Sequence, residues 1–152
     1  GKNGKPYLDG GGDLRFNLSH SEDVAYIAVR TGGAVGIDVE RPRVVRDIDD
    51  LAAMVLSMQE RTELASAHEA SRNAAFLCAW TRKEAFVKAL GLGITVDLPS
   101  ITVGVTTDER TVPPVNGLST EAVHVRTLAC GEGEHVALAC VGGDDRVMCF
   151  DA

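Results

Sequence analysis

Two groups of charged residues sit among apolar neighbours where an ordinary core would not put them. In GIDVE, residues 36–40, strand alternation sends Asp38 and Glu40 to one face and Ile37 and Val39 to the other. Carboxylates so placed repel each other unless a cation or water screens them. Either this strand has one solvated face or the pair serves a hard cation. Mg2+ prefers such carboxylate oxygens and keeps several waters and substrate phosphates around it. In WTRKEAFVKALG, residues 80–91, Glu84 and Lys88 lie one helical turn apart in the favourable order, worth about 0.2–0.5 kcal/mol as a surface ion pair. Trp80 lies one turn before Glu84, among Phe76, Phe86 and Leu90. An acid along an aromatic stripe fits a site at the edge of the core as well as it fits a surface pair. A third stretch, FNLSHS at residues 16–21, offers Ser19 and His20 as donors to an anion. Adjacent strand residues point to opposite faces and no GxSxG elbow is present, so a serine-hydrolase reading of Ser19 and His20 is poor.

The elements that must position these groups can be read from spacing. LRFNL (14–18), VAYIAVR (24–30) and AVGIDVE (34–40) are short β-branched runs separated by turns, and Gly32-Gly33 is expected to join the last two as a tight turn. After Arg41-Pro42-Arg43 the chain to Leu56 reads as loop or short helix. Ser57-Met58-Gln59-Glu60 has the form of a capping box and predicts a helix start. A longer helix is predicted over about Glu69 to Leu90, stopped at Gly91. Residues 101–105, 122–128, 135–141 and 146–150 again read as strands, with turns at Pro113-Pro114 and Gly142–Asp145. Strands, helices and strands in that order predict an α+β domain.

The 152 residues suffice for one ordinary domain, and 45% hydrophobic with 24% charged residues is a globular composition. A net charge of −7 argues against nucleic acid as a partner. No run approaches the roughly 18 apolar residues of a membrane span, so no membrane partner is expected and the cytoplasm is the default compartment. Cys78, Cys130, Cys140 and Cys149 form no CxxC pair and read as free thiols packed like small apolar residues.

Taken in order, KPYL (5–8), NLSHS (17–21), GIDVE (36–40) and WTRKEAFVKALG (80–91) resemble the 4′-phosphopantetheinyl transferase superfamily, in its Sfp-type branch. That branch carries a KP-containing segment, N-L-S-H-S, G-I-D-x-E and W-x-x-K-E-A-x-x-K-A-x-G in the same order. The resemblance implies the superfamily's α+β half-unit, an antiparallel sheet packed against a long helix, here with an N-terminal hairpin extension. It also implies transfer of the phosphopantetheine arm of coenzyme A to a serine of an acyl or peptidyl carrier protein, releasing 3′,5′-ADP. Asp38, Glu40 and Glu84 would ligate Mg2+ or Mn2+ with the pyrophosphate. Glu84 would be the general base, and Lys88 would meet the phosphate. Asp38, Glu84 and Lys88 are thus the expected catalytic residues. Ser19, His20 and Lys83 would contact coenzyme A phosphates, and Lys5-Pro6 would lie near the adenine or 3′-phosphate.

Sfp-type enzymes pair two similar halves in one chain. Residues 1–33 therefore read as the remnant of a preceding half, and 34–152 as the transferase domain. Two arrangements are expected: a domain of a larger polypeptide, such as a polyketide or fatty-acid synthase, or a homo-oligomer, by analogy a trimer, in which a neighbour completes the pocket. Arg41, Arg43 and Arg46 either greet an acidic carrier protein or merely solubilise a loop. The competing functional class is a non-catalytic module that binds coenzyme A or a carrier protein within a megasynthase. Retention of Asp38, Glu40, Glu84 and Lys88 together argues against it.

Overall fold

A computed structural model describes residues 8–93, 96–130, 133–143 and 146–150. The elements are β1 (Leu14–Ser21), β2 (Val24–Thr31), β3 (Val35–Glu40), α1 (Ile48–Val55), α2 (Met58–Ser66), α3 (Glu69–Leu90), a 3-10 turn at Leu98–Ser100, β4 (Arg110–Val112), β5 (Val123–Leu128) and β6 (His135–Val141). β3, β6, β5 and β4 form an antiparallel sheet in that order, while β1 and β2 pair as a separate hairpin. The architecture is the expected α+β one. Among the described residues no helix is long and apolar enough to cross a membrane.

Alternation along the strands divides the sheet between two partners. Val35, Ile37 and Val39 of β3 and Val136, Leu138 and Cys140 of β6 face the hairpin. Ala137 and Ala139 of β6 and Val123 and Val125 of β5 face α3, against Ala85, Phe86 and Ala89. The small residues of this second set let α3 lie close to the strands. Gly36 carries the closest approach: a Cβ there would stand 2.2 Å from the Ala85 carbonyl oxygen and 2.3 Å from the Ala89 nitrogen. The first half of α3 (Phe76, Leu77, Ala79) packs instead on α1 and α2 through Ala52, Val55, Leu56 and Leu64.

Both local helix signals hold. The Ser57 N–H donates to Glu60 Oε2 at 2.8 Å and the Glu60 N–H to Ser57 Oγ at 3.2 Å, closing the capping box. α3 ends at Gly91, whose φ of 65° lets the Gly91 and Leu92 N–H groups reach the Lys88 and Val87 carbonyls.

Three expectations need correction, and one short strand went unread. Gly32-Gly33 does not close a hairpin; the hairpin is β1–β2, and the glycines carry the chain from it into the main sheet. Residues 101–105 are buried but join no ladder, because side chains take their backbone groups. Glu60 Oε1 accepts from the Val103 and Gly104 N–H groups, and Arg82 donates to the Val103 carbonyl. Residues 146–150 form no strand. β4, three residues long, was too short to show a period.

Candidate active site

The site is built where α3 crosses β3. Asp38 and Glu40 point from β3 toward α3, as alternation requires, and Glu84 and Lys88 occupy the α3 turn above Gly36. Lys88 Nζ lies 2.6 Å from Asp38 Oδ1 and 3.0 Å from Ser19 Oγ, while Ser19 Oγ donates to Asp38 Oδ1 at 2.9 Å. Strand, helix and hairpin thus meet at one carboxylate, whose side chain is only 8% exposed. Glu40, at the strand end, accepts from Trp80 Nε1 at 3.1 Å, and Arg43 Nε lies 3.4 Å from its other oxygen. Glu84 is half-buried, and its carboxylate makes no hydrogen bond or ion pair among the described residues.

β1 reaches β3 in an unusual way. Asn17 Oδ1, Ser19 Oγ and Ser21 Oγ accept from the N–H groups of Ile37, Val39 and Arg41 at 2.9, 3.3 and 3.2 Å. Alternate side chains of one strand therefore satisfy alternate donors on the open edge of the next. This fixes Ser19 inward and puts His20 on the exposed outer face of the hairpin. Of the expected coenzyme A contacts, Ser19 enters the cluster and His20 does not.

Burial sets the electrostatics. It pushes the Asp38 carboxyl up, Glu40 adds to the rise, and Lys88 and Ser19 oppose it. Burial also pushes the Glu84 carboxyl above its ordinary range; Asp38 and then Glu40 contribute, against Lys88. The three carboxylates therefore feel one another. Among the described residues, however, no three acidic, His or Cys side chains are gathered closely enough to enclose an ion. The donor set still suits a hard divalent cation: it is all oxygen, and among the described residues the Glu84 carboxylate has no partner and Asp38 Oδ2 accepts no bond.

Lys83 requires a correction. Its ammonium is wholly buried, 2.8 Å from Glu60 Oε2 and donating to the Leu98 and Ile101 carbonyls. One residue before Glu84 on a helix is a step of about 100°, which turns Lys83 away from the carboxylates and toward α2. It is a strut between α2, α3 and the 98–104 segment, with no ammonium to spare for phosphate. Arg41 is also committed, to Asp23 at 2.5 Å and Glu134 at 3.2 Å, and it ties the hairpin tip to the start of β6. Arg46 is exposed and Arg43 touches Glu40. Lys5 and Pro6 lie outside the described residues.

Two neighbours escaped the sequence reading. Trp80 reads from the sequence only as part of an aromatic stripe, yet its indole N–H donates to Glu40 and orients it. His135 pairs directly opposite Glu40 across β3 and β6, and burial pushes its imidazole down against the pull of Glu40. Only the long-range strand register reveals it. A cavity of about 430 Å³ near Leu90, Leu118 and Glu121 includes none of the site residues.

The sequence pattern of the 4′-phosphopantetheinyl transferase superfamily matches residues 34–140. The 4′-phosphopantetheinyl transferase AcpT of Salmonella typhimurium is 41% identical over 91 residues, covering 60% of this chain and 47% of AcpT. HetI of Nostoc, also a 4′-phosphopantetheinyl transferase, is 38% identical over 112 residues, 70% of this chain and 46% of HetI. The 4′-phosphopantetheinyl transferase of Bacillus subtilis is 33% identical over 102 residues, 66% and 43% respectively. The chain thus spans about half the length of these curated relatives. Among solved structures, the Thermotoga maritima holo-[acyl-carrier-protein] synthase AcpS covers 73% of this chain and 64% of its own, at TM-score 0.48 and 22% identity. With residues 34–140 matched, GIDVE and WTRKEAFVKALG both inside that span, the chain belongs to the 4′-phosphopantetheinyl transferase superfamily.

Proposed function

We propose that the chain transfers the phosphopantetheine arm of coenzyme A to a serine hydroxyl of an acyl or peptidyl carrier protein, releasing 3′,5′-ADP. The observation that supports this best is the meeting of β3 and α3, which sets Asp38 against Lys88 with the unpartnered Glu84 beside them. A divalent cation held by Asp38, Glu40 and Glu84 would neutralise pyrophosphate charge and favour departure of the nucleotide phosphate. Glu84 takes the proton from the carrier serine, directly or through a water. The serine oxygen forms a bond to the pantetheine-side phosphorus as the phosphoanhydride bond to the nucleotide breaks. Lys88 offsets charge developing on the transferred phosphoryl oxygens. Trp80 orients Glu40, and Ser19 steadies Lys88 and Asp38.

The curated relatives are about twice as long as the matched region. The rest of the coenzyme A pocket is therefore assigned to further polypeptide or to a second copy; the trimer expected from sequence is checked by mass in solution. The activity is tested by incubating the protein with apo-carrier proteins of several types, coenzyme A and Mg2+, and measuring carrier mass. A phosphopantetheine adduct is expected. Folded protein that binds coenzyme A or carrier yet modifies none of them would leave the binding-module reading in its place.

A further inference from the structure

We infer that Lys88 is a displaceable counter-cation of Asp38, so that a divalent cation and the Lys88 ammonium compete for the same carboxylate. The inference rests on the reading of this site given above and extends it to the order of events within it.

Lys88 sits one turn from Glu84 on the same helix, in the geometry that favours an intrahelical pair. It does not pair with Glu84. Its ammonium crosses to β3, to Asp38 Oδ1 at 2.6 Å, with Ser19 Oγ touching both partners. Two facts explain the choice. Asp38 is the more buried carboxylate, so leaving it charged without a cation would cost most there. Ser19 also supplies an acceptor that only this position offers the ammonium. Among the described residues Glu84 is thereby left without a partner, and the three carboxylates form no closed ligand set.

A flexible four-carbon stem ending in a point charge can leave such a position, and the Lys88 side chain is 29% exposed. A divalent cation drawn to Glu84 and Glu40 would take over Asp38 and release the ammonium, one cation replacing another at a buried anion. The freed Lys88 then becomes available for phosphate in the same event. Cation affinity measured alone is lowered by the fraction of molecules in which Lys88 holds Asp38.

The test uses Mn2+ alone, without coenzyme A, and reads free Mn2+ by electron paramagnetic resonance. Lys88→Met should bind Mn2+ about tenfold more tightly than the native protein, as expected when a competing state is removed. Lys88→Gln, which keeps a donor for Ser19 and Asp38 but no charge, is measured beside it and should move the same way; circular dichroism confirms folding of both. Arg43→Met serves as the control for a general loss of positive charge. Its exposed contact with Glu40 at 3.4 Å should give less than about a threefold gain. Unchanged or weaker Mn2+ binding in both Lys88 variants would overturn the competition, as would an equal gain in Arg43→Met. Adding Glu84→Gln to Lys88→Met should weaken binding. If it does not, the carboxylates are not the cation site, and the site assignment fails along with the inference.

Discussion

Gly36→Ala tests the contact on which the site depends. The added methyl would meet three backbone atoms of α3: the Ala85 carbonyl oxygen at 2.2 Å, the Ala89 nitrogen at 2.3 Å and the Ala89 Cα at 2.9 Å. None of these can swing aside as a side chain would. Reaching an ordinary 3.4 Å contact requires strand and helix to separate by about 1 Å. Overpacking of this kind costs about 1–3 kcal/mol. Separation also opens a gap along Ala85, Phe86 and Ala89, each at most 1% exposed, and a gap of about 1 Å forfeits up to half the dispersion energy of the contacts it crosses. Against this, alanine restricts the unfolded chain and returns about 0.4–1 kcal/mol. The net expectation is a loss of about 2–3 kcal/mol, or a fall in Tm of about 4–12 °C for a chain of this length. Urea titration and thermal melts measure it directly. Retreat of α3 also carries Glu84 and Lys88 away from Asp38, so transfer activity should fall further than the folded fraction does. Ala85→Gly and Ala89→Gly should not rescue the variant, because the clash is with backbone. A Gly36→Ala protein melting within about 1 °C of the native one would refute the close approach and the account of the site built on it.

Lys83→Met leaves the Glu60 carboxylate, wholly buried, without its cation, and should cost about 3–5 kcal/mol in urea titration. Burial alone would raise the Glu60 carboxyl, but Lys83 and the Ser57 and Val103 N–H groups outweigh it and hold it below its ordinary range. Its folded value is thus depressed: it stabilises above the unfolded carboxylate value of about 4.3 and that contribution is lost as pH falls through the folded value. Glu60→Gln should therefore flatten the acid limb of the stability curve. For Glu84 the sign reverses. Its raised carboxyl is most stabilising when protonated, and that contribution disappears as pH rises through the folded value. Glu84→Gln should accordingly raise the neutral-pH melting temperature of cation-free protein, remove that pH dependence, and abolish transfer. Trp80→Phe deletes the indole bond to Glu40, a charged acceptor worth about 1.5–3 kcal/mol, and should lower kcat without unfolding the protein. Trp80 is also the single tryptophan, so its fluorescence should change when Mn2+ engages Glu40.

What could be read from the chain alone was what depends on neighbours in sequence. The span of α3, its glycine stop, the Ser57 capping box and the facing of Asp38 and Glu40 all follow from local period and cap chemistry. What escaped was decided by partners far along the chain. Lys83 and Glu84 are adjacent and chemically similar in promise; only the position of Glu60, 23 residues earlier, turns one into a strut. Ser19 and His20 are separated by the side on which β3 happens to lie. Segment 101–105 has strand composition, but Glu60 and Arg82 take its hydrogen bonds before any strand can. His135 joins the site through a register that no short window contains.

The rungs between β1 and β3 bear on solubility as well as on catalysis. A strand at the margin of a sheet ordinarily presents a row of unused donors and acceptors to any extended chain that passes. Here the donors of Ile37, Val39 and Arg41 are answered by an amide and two hydroxyls, not by another backbone. Such an arrangement cannot propagate, because side-chain acceptors offer no further ladder to the next molecule. It also tolerates no slip: a shift of one residue would present Phe16, Leu18 and His20 where Asn17, Ser19 and Ser21 are required. The strand that bears Asp38 is thereby guarded against templating aggregation, and the alternation in NLSHS works as a register lock.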